Sequence, residues 1–99
     1  MIKSIHPSTK KNKKYMIIYD NKKYHFGDKN GSTYIDHKDI NKRENYRKRH
    51  YSNSKEKYLI DNVIVSPSLL SFHLLWGNST DINENLKNLN KLLINKNNN

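Results

Sequence analysis

The sequence predicts a small α+β domain: an N-terminal β-hairpin, with room for a third strand, packed on about three helices. Three observations lead there. The chain has 99 residues, which makes one domain of modest core. Its aromatic and β-branched run lies near the N-terminus, where it suits strands. Its leucines lie near the C-terminus, at helical spacing.

Taken in order, residues 1–13 are polar and lysine-bearing, and read as a flexible basic arm. A single α+β domain follows over 14–94, and 95–99 is an Asn-rich tail expected to be disordered. Lys14 to Tyr19 reads as a strand, Asp20-Asn21 as a tight turn, and Lys23 to Phe26 as the return strand. Gly27-Asp28 ends it, and Tyr34-Ile35 reads as a short third strand. Asp36 is the expected N-cap of a helix over 36–51, with Asp39 placed to pair with Arg43 at i,i+4. Residues 52–58 read as a loop, and Leu59-Ile60 and Val63 to Val65 as short strands. Ser66-Pro67 starts a helix that is apolar on nearly every side and stops at Gly77. Ser79 or Thr80 caps a last helix with the stripe Ile82, Leu86, Leu89, Leu93. The expected core is Tyr15, Ile17, Tyr24, Phe26, Tyr34, Ile40, Tyr46, Leu70, Leu74, Trp76, Leu86, Leu89 and Leu93.

Composition excludes several classes. There is no cysteine, hence no disulfide, no thiolate nucleophile and no Cys-type zinc site. Apolar stretches such as Leu74-Leu75-Trp76 are too short to span a membrane. Residues 1–14 lack the apolar segment of a secretory signal. No HExxH, GxSxG, GxxxxGK or GxGxxG occurs. Neither a cofactor nor a resident metal is expected, and the chain reads as a non-enzyme. The nearest enzymatic alternative is a small Mg²⁺ nuclease with Asp28, Asp36 and Asp39 beside Arg43, Arg47 and His50.

Net charge is +10, and it is uneven. Residues 1–58 carry 16 basic and 6 acidic side chains, whereas 59–99 carry 3 of each. A basic front meeting a polyanion fits this split. Asparagine and lysine together number 32, and alanine and glutamine are absent, the mark of an AT-rich genome. Part of the lysine excess therefore reflects codon usage.

Against that background, all three arginines fall at 43, 47 and 49. Guanidinium geometry is needed there, either for phosphate contact or to tie Asp36 and Asp39 to the hairpin. Tyr46 and Tyr51, interleaved with these cations, are candidates for stacking on bases. The expected phosphate-contacting set is Lys10, Lys11, Lys13, Lys14, Lys42, Arg43, Arg47, Lys48, Arg49 and His50. Its polyanion is nucleic acid, DNA before RNA, held with little sequence selection. A second reading is a structural protein that binds a partner protein or its own copy through Phe72, Leu75, Trp76 and Leu93.

Four motifs carry a resemblance: Phe26-Gly27-Asp28, Tyr34-x-Asp36-His37-Lys38-Asp39, Arg43-x-x-Tyr46-x-x-Arg49-His50 and Leu74-Leu75-Trp76-Gly77. In this order, over about residues 14–90, they resemble a family of small basic proteins of unknown function. Large nucleocytoplasmic DNA viruses of algae and amoebae encode that family. The stretch Tyr51 to Ser68 departs from its pattern. The resemblance implies a viral origin and a place in the virion or the virus factory of the host cytoplasm. It also makes the second reading a structural virion component, a minor capsid or core protein, with a viral protein as partner. It assigns no catalytic residue.

Overall fold

The computed structural model describes residues 1–97. Its hairpin is built on a two-residue turn. Asp20 and Asn21 both take positive φ, 52° and 64°, which matches the twist of the flanking strands. The strands are β1 (His6–Pro7), β2 (Lys13–Tyr19) and β3 (Lys22–Asp28), antiparallel in the order β1-β2-β3. Tyr19 faces Lys22, Ile17 faces Tyr24 and Tyr15 faces Phe26. Alternation sets the faces: Ile17 and Phe26 are fully buried, whereas Ile18 is half exposed.

The third strand is β1, from the supposed arm, and not Tyr34-Ile35. Residues 1–13 are tied down. Ile2 is buried in the core, and its backbone exchanges hydrogen bonds with the Asn90 amide, 3.0 Å from Ile2 N and 2.8 Å to Ile2 O. Apolar side chains at 2 and 5, inside a stretch read as polar, supply the packing that holds the segment.

Tyr34-Ile35 instead belongs to a one-turn helix, α1 (Tyr34–His37). Thr33 precedes it, and its N–H and hydroxyl donate to Asp36 Oδ2 at 2.9 and 3.2 Å. Asp36 is therefore the first-turn acid of a capping box, not an N-cap. Lys38 turns left-handed (φ 57°) and breaks the expected 36–51 helix. Asp39 then caps α2 (Ile40–Ser52), accepting from the N–H groups of Asn41 and Lys42. Its carboxylate is spent there, so the expected Asp39–Arg43 pair does not form.

Residues 52–58 are not a loop. Asn53 caps α3 (Ser54–Asp61), which takes in Leu59 and Ile60. Val63 to Val65 form no strand. Ser66 and Pro67 start α4 (Pro67–Leu70) as expected, with Ser66 Oγ accepting from Leu69 N–H. That helix runs on into a π-helical turn (Ser71–Leu75), closed by Trp76 N–H on Ser71 O at 3.1 Å. Asp81, rather than Ser79 or Thr80, takes the first bonds of α5 (Ile82–Asn97). Residues 95–97, expected in the tail, continue α5, and 98–99 lie outside the described residues.

The core gathers where β3 and α5 close on α4 and the π turn. Ile2, Ile17, Phe26, Leu69, Leu70, Leu74, Leu75, Trp76, Leu86, Leu89 and Leu93 fill it. Ile40, expected inside, is 55 % exposed, because α2 turns other residues inward. Tyr15, Tyr24, Tyr34 and Tyr46 pack at its edge. Among the described residues no helix is long and apolar enough to cross a membrane.

Candidate nucleic-acid interface

Helix α2 has two cationic faces, and they do different things. The inner face carries Arg43, Tyr46, Arg47 and His50. Beneath it, the π turn ends at Trp76, leaving carbonyls without helical donors. Side chains supply the donors. Arg43 is buried; its Nε donates to Gly77 O at 2.7 Å and its Nη2 to Asn78 Oδ1 at 2.6 Å. Its Nη1 reaches Glu44 at 2.7 Å. Arg47 Nη1 donates to Trp76 O at 2.8 Å, and its guanidinium lies 3.8 Å from the Phe72 ring centroid. Burial, then the Arg43 charge, pulls the Arg47 pKa down from its ordinary value. A third donor is Asn85, 1 % exposed, whose amide bonds Leu74 O and Ser79 O.

The arginines at 43 and 47 are therefore fasteners, not phosphate contacts. The structural reading is right in kind and wrong in partner: they bind the Trp76 and Gly77 carbonyls and the Asn78 side chain, not Asp36 or Asp39. The aromatic groups of this face are also occupied. Tyr46 stacks on Trp76 (4.2 Å, 9°) and lies 4.1 Å from the His50 ring, so it offers no face to a base. Burial pushes its phenol up to about 12. His50 is half-buried. Its Nδ1 sits 3.3 Å from Glu56 without hydrogen-bond geometry. Burial lowers its pKa, opposed by the Glu56 charge. Tyr51, partly exposed, meets Phe72 edge-on.

The outer face of α2 carries Lys42, Asn45, Lys48 and Arg49. With Ser32, His37 and Trp76 they line a cleft of about 560 Å³. No carboxylate lines it, and among the described residues none of its three cations has an ion-pair partner. A neighbouring cleft of about 450 Å³ shares Ser32, Arg49 and Trp76. Lys13 and His50 line it too, but so do Asp28 and Glu56, which offset its positive charge.

The remaining expected cations divide likewise. Lys10 and Lys11 are exposed on the turn between β1 and β2. Lys14 is engaged with Gly31 O at 3.3 Å and Asp36 at 3.4 Å. The Thr33 N–H, together with that lysine, holds the Asp36 carboxyl below the usual range.

The other candidate sets do not assemble. Phe72, Leu75, Trp76 and Leu93 are all 8 % exposed or less. Their side chains are buried in the core, Trp76 showing only an edge to the clefts, so they form no exposed partner surface. Asp28 accepts from Asn30 N–H, Asp36 from Thr33, and Asp39 caps α2. Among the described residues no group of three His, Asp or Glu is placed to hold a metal. Sequence reading passed over His37, Asn45 and Ser32 as members of a cleft. The available signal was the dense Asp36-His37-Lys38-Asp39 run ahead of a basic helix.

A family model described as a family of unknown function (DUF5754) matches residues 3–50. No curated protein and no solved structure matches the chain. Over its sheet, α1 and most of α2, the chain is therefore similar to that family, and every residue of the acid-free cleft except Trp76 falls inside the matched stretch.

Proposed function

We propose that this protein is a non-enzymatic nucleic-acid-binding protein that grips the phosphate backbone with little sequence selection. One observation carries the reading: Lys42, Lys48 and Arg49 line a cleft without a carboxylate and have no ion-pair partner among the described residues. Unpaired cations on one helix face are what counterion release requires. Lysine ammonium groups act as point charges and carry no base information. Lys10, Lys11 and Lys13, on the β1–β2 turn and the start of β2, extend the positive surface. What supports DNA as the polyanion, and the virion or virus factory as the setting, is the resemblance to proteins of large DNA viruses.

The test is fluorescence anisotropy with a random-sequence DNA duplex at about 50 and 200 mM salt. Binding that is strong at low salt, collapses at high salt and weakens in Lys42/Lys48/Arg49→Gln supports the reading. Negligible binding at low salt overturns it.

A further inference from the structure

We infer that the cleft between α2 and α1 seats a single phosphate group, with the His37 ring N–H as its neutral donor and Lys42, Lys48 and Arg49 as its cations. This rests on the reading above and adds a defined seat to it.

The tautomer of His37 follows from its surroundings. The Asp39 backbone N–H donates to His37 Nδ1 at 3.0 Å, so the ring proton lies on Nε2. The left-handed Lys38 makes this possible by folding Asp39 back over the ring. Nε2 is buried and has no hydrogen-bond partner. A buried donor left unmade is costly, and such groups cluster where a ligand completes them. The Trp76 ring, 5.2 Å away between centroids, backs the imidazole on one side. His37 lines the cleft while its Nε2 is shielded from solvent, so seating an anion requires the ring to turn outward.

The second observation is independent. The same cleft holds three cations and no carboxylate. Like charges gathered without a counter-charge repel one another, and a phosphate relieves that repulsion. Lysines supply charge but little direction, whereas a fixed imidazole N–H supplies direction. Ser32, also lining the cleft, adds a hydroxyl. A metal cation is the wrong occupant for such a site. The shared chemistry is a phosphate oxygen, from a nucleic-acid backbone or from a free phosphate.

The test titrates inorganic phosphate, then a DNA duplex, into the full ¹⁵N-labelled chain and follows the histidine ring nitrogens. His37→Gln assigns the His37 signal by its loss. The expected result is a saturable shift of His37 Nε2 with both probes, and phosphate affinity about tenfold weaker in His37→Gln and in Lys48→Gln. Lys48 is exposed, so its variant reports on the seat even where His37→Gln fails to fold. If the duplex binds but His37 does not move and Lys48→Gln binds phosphate like the parent, the seat falls and the nucleic-acid reading stands. If phosphate moves His37 and the duplex does not bind, the seat stands for a free phosphate and the nucleic-acid reading falls. If neither probe binds, both fall.

Discussion

The inner and outer faces of α2 carry the same kinds of residue to opposite ends. Arg43 and Arg47, one turn apart, point into the molecule and spend donors on the Gly77 and Trp76 carbonyls and the Asn78 side chain. Lys42, Lys48 and Arg49, interleaved with them, line an open cleft without a carboxylate. In sequence these five cations form one basic run. In space only the second set is available to a ligand. Net charge thus overstates a binding surface when guanidinium groups are needed to finish a helix end. Arginine suits the inward task because its planar fork reaches two acceptors at once. Lysine suits the outward one, where charge alone suffices.

The contrast is broken most severely at Gly77. Its Cβ would lie 2.1 Å from His73 O and 2.9 Å from the Asn85 side chain, and backbone cannot yield that much. Gly77→Ala should cost more than about 4 kcal/mol and abolish a cooperative thermal transition followed by circular dichroism. Next comes Arg43→Ala, which strips donors from Gly77 O and Asn78. A loss of about 3 kcal/mol in urea denaturation is expected. Arg43→Lys should recover little of it, since one ammonium cannot span both acceptors.

A pH change probes the same fastened face. Burial, aided by the Arg47 charge, pulls the His73 pKa down to about 4. The unfolded chain, with an ordinary histidine, binds that proton more readily. Stability is therefore full above about pH 6.5 and drains away as pH falls toward about 4, by of order 2–3 kcal/mol. Denaturation at several pH values should show this slope, and His73→Leu should flatten it. The depressed Asp36 carboxyl acts lower, its contribution being lost only as pH falls through its own reduced value. The smallest effect on stability belongs to the outer face. Lys42/Lys48/Arg49→Gln should melt within about 0.5 kcal/mol of the parent, yet lower the salt slope of duplex binding by about 2–3. A large stability loss there would erase the distinction between the faces.

Local signals account for what was legible. The Asp20-Asn21 turn, the Ser66-Pro67 helix start and the stripe of α5 are fixed by residues adjacent in sequence or one helical turn apart. The misreadings have two causes. Some signals were read one residue class too narrowly. Thr33-x-x-Asp36 is a capping box with aspartate in place of the usual glutamate, and Asn53 is as good a cap as any serine. Others were not local at all. Nothing near Ile2 announces Asn90, and nothing near Arg43 announces Gly77 and Asn78. The candidate site was half legible for the same reason. A basic helix is visible as a run, but which of its cations are spent depends on a helix end some 30 residues away.

The clasp between Ile2 and Asn90 joins positions 88 apart, so it closes nearly the whole chain into a ring. Such a contact is among the last to form, because the entropy of closing so long a loop is repaid only after the intervening elements are in place. During synthesis Ile2 has no docking partner until α5 has left the ribosome, whereas β1 can already pair with β2. Shortening α5 before Asn90 would then be felt first at the opposite terminus, as release of Ile2 and fraying of β1.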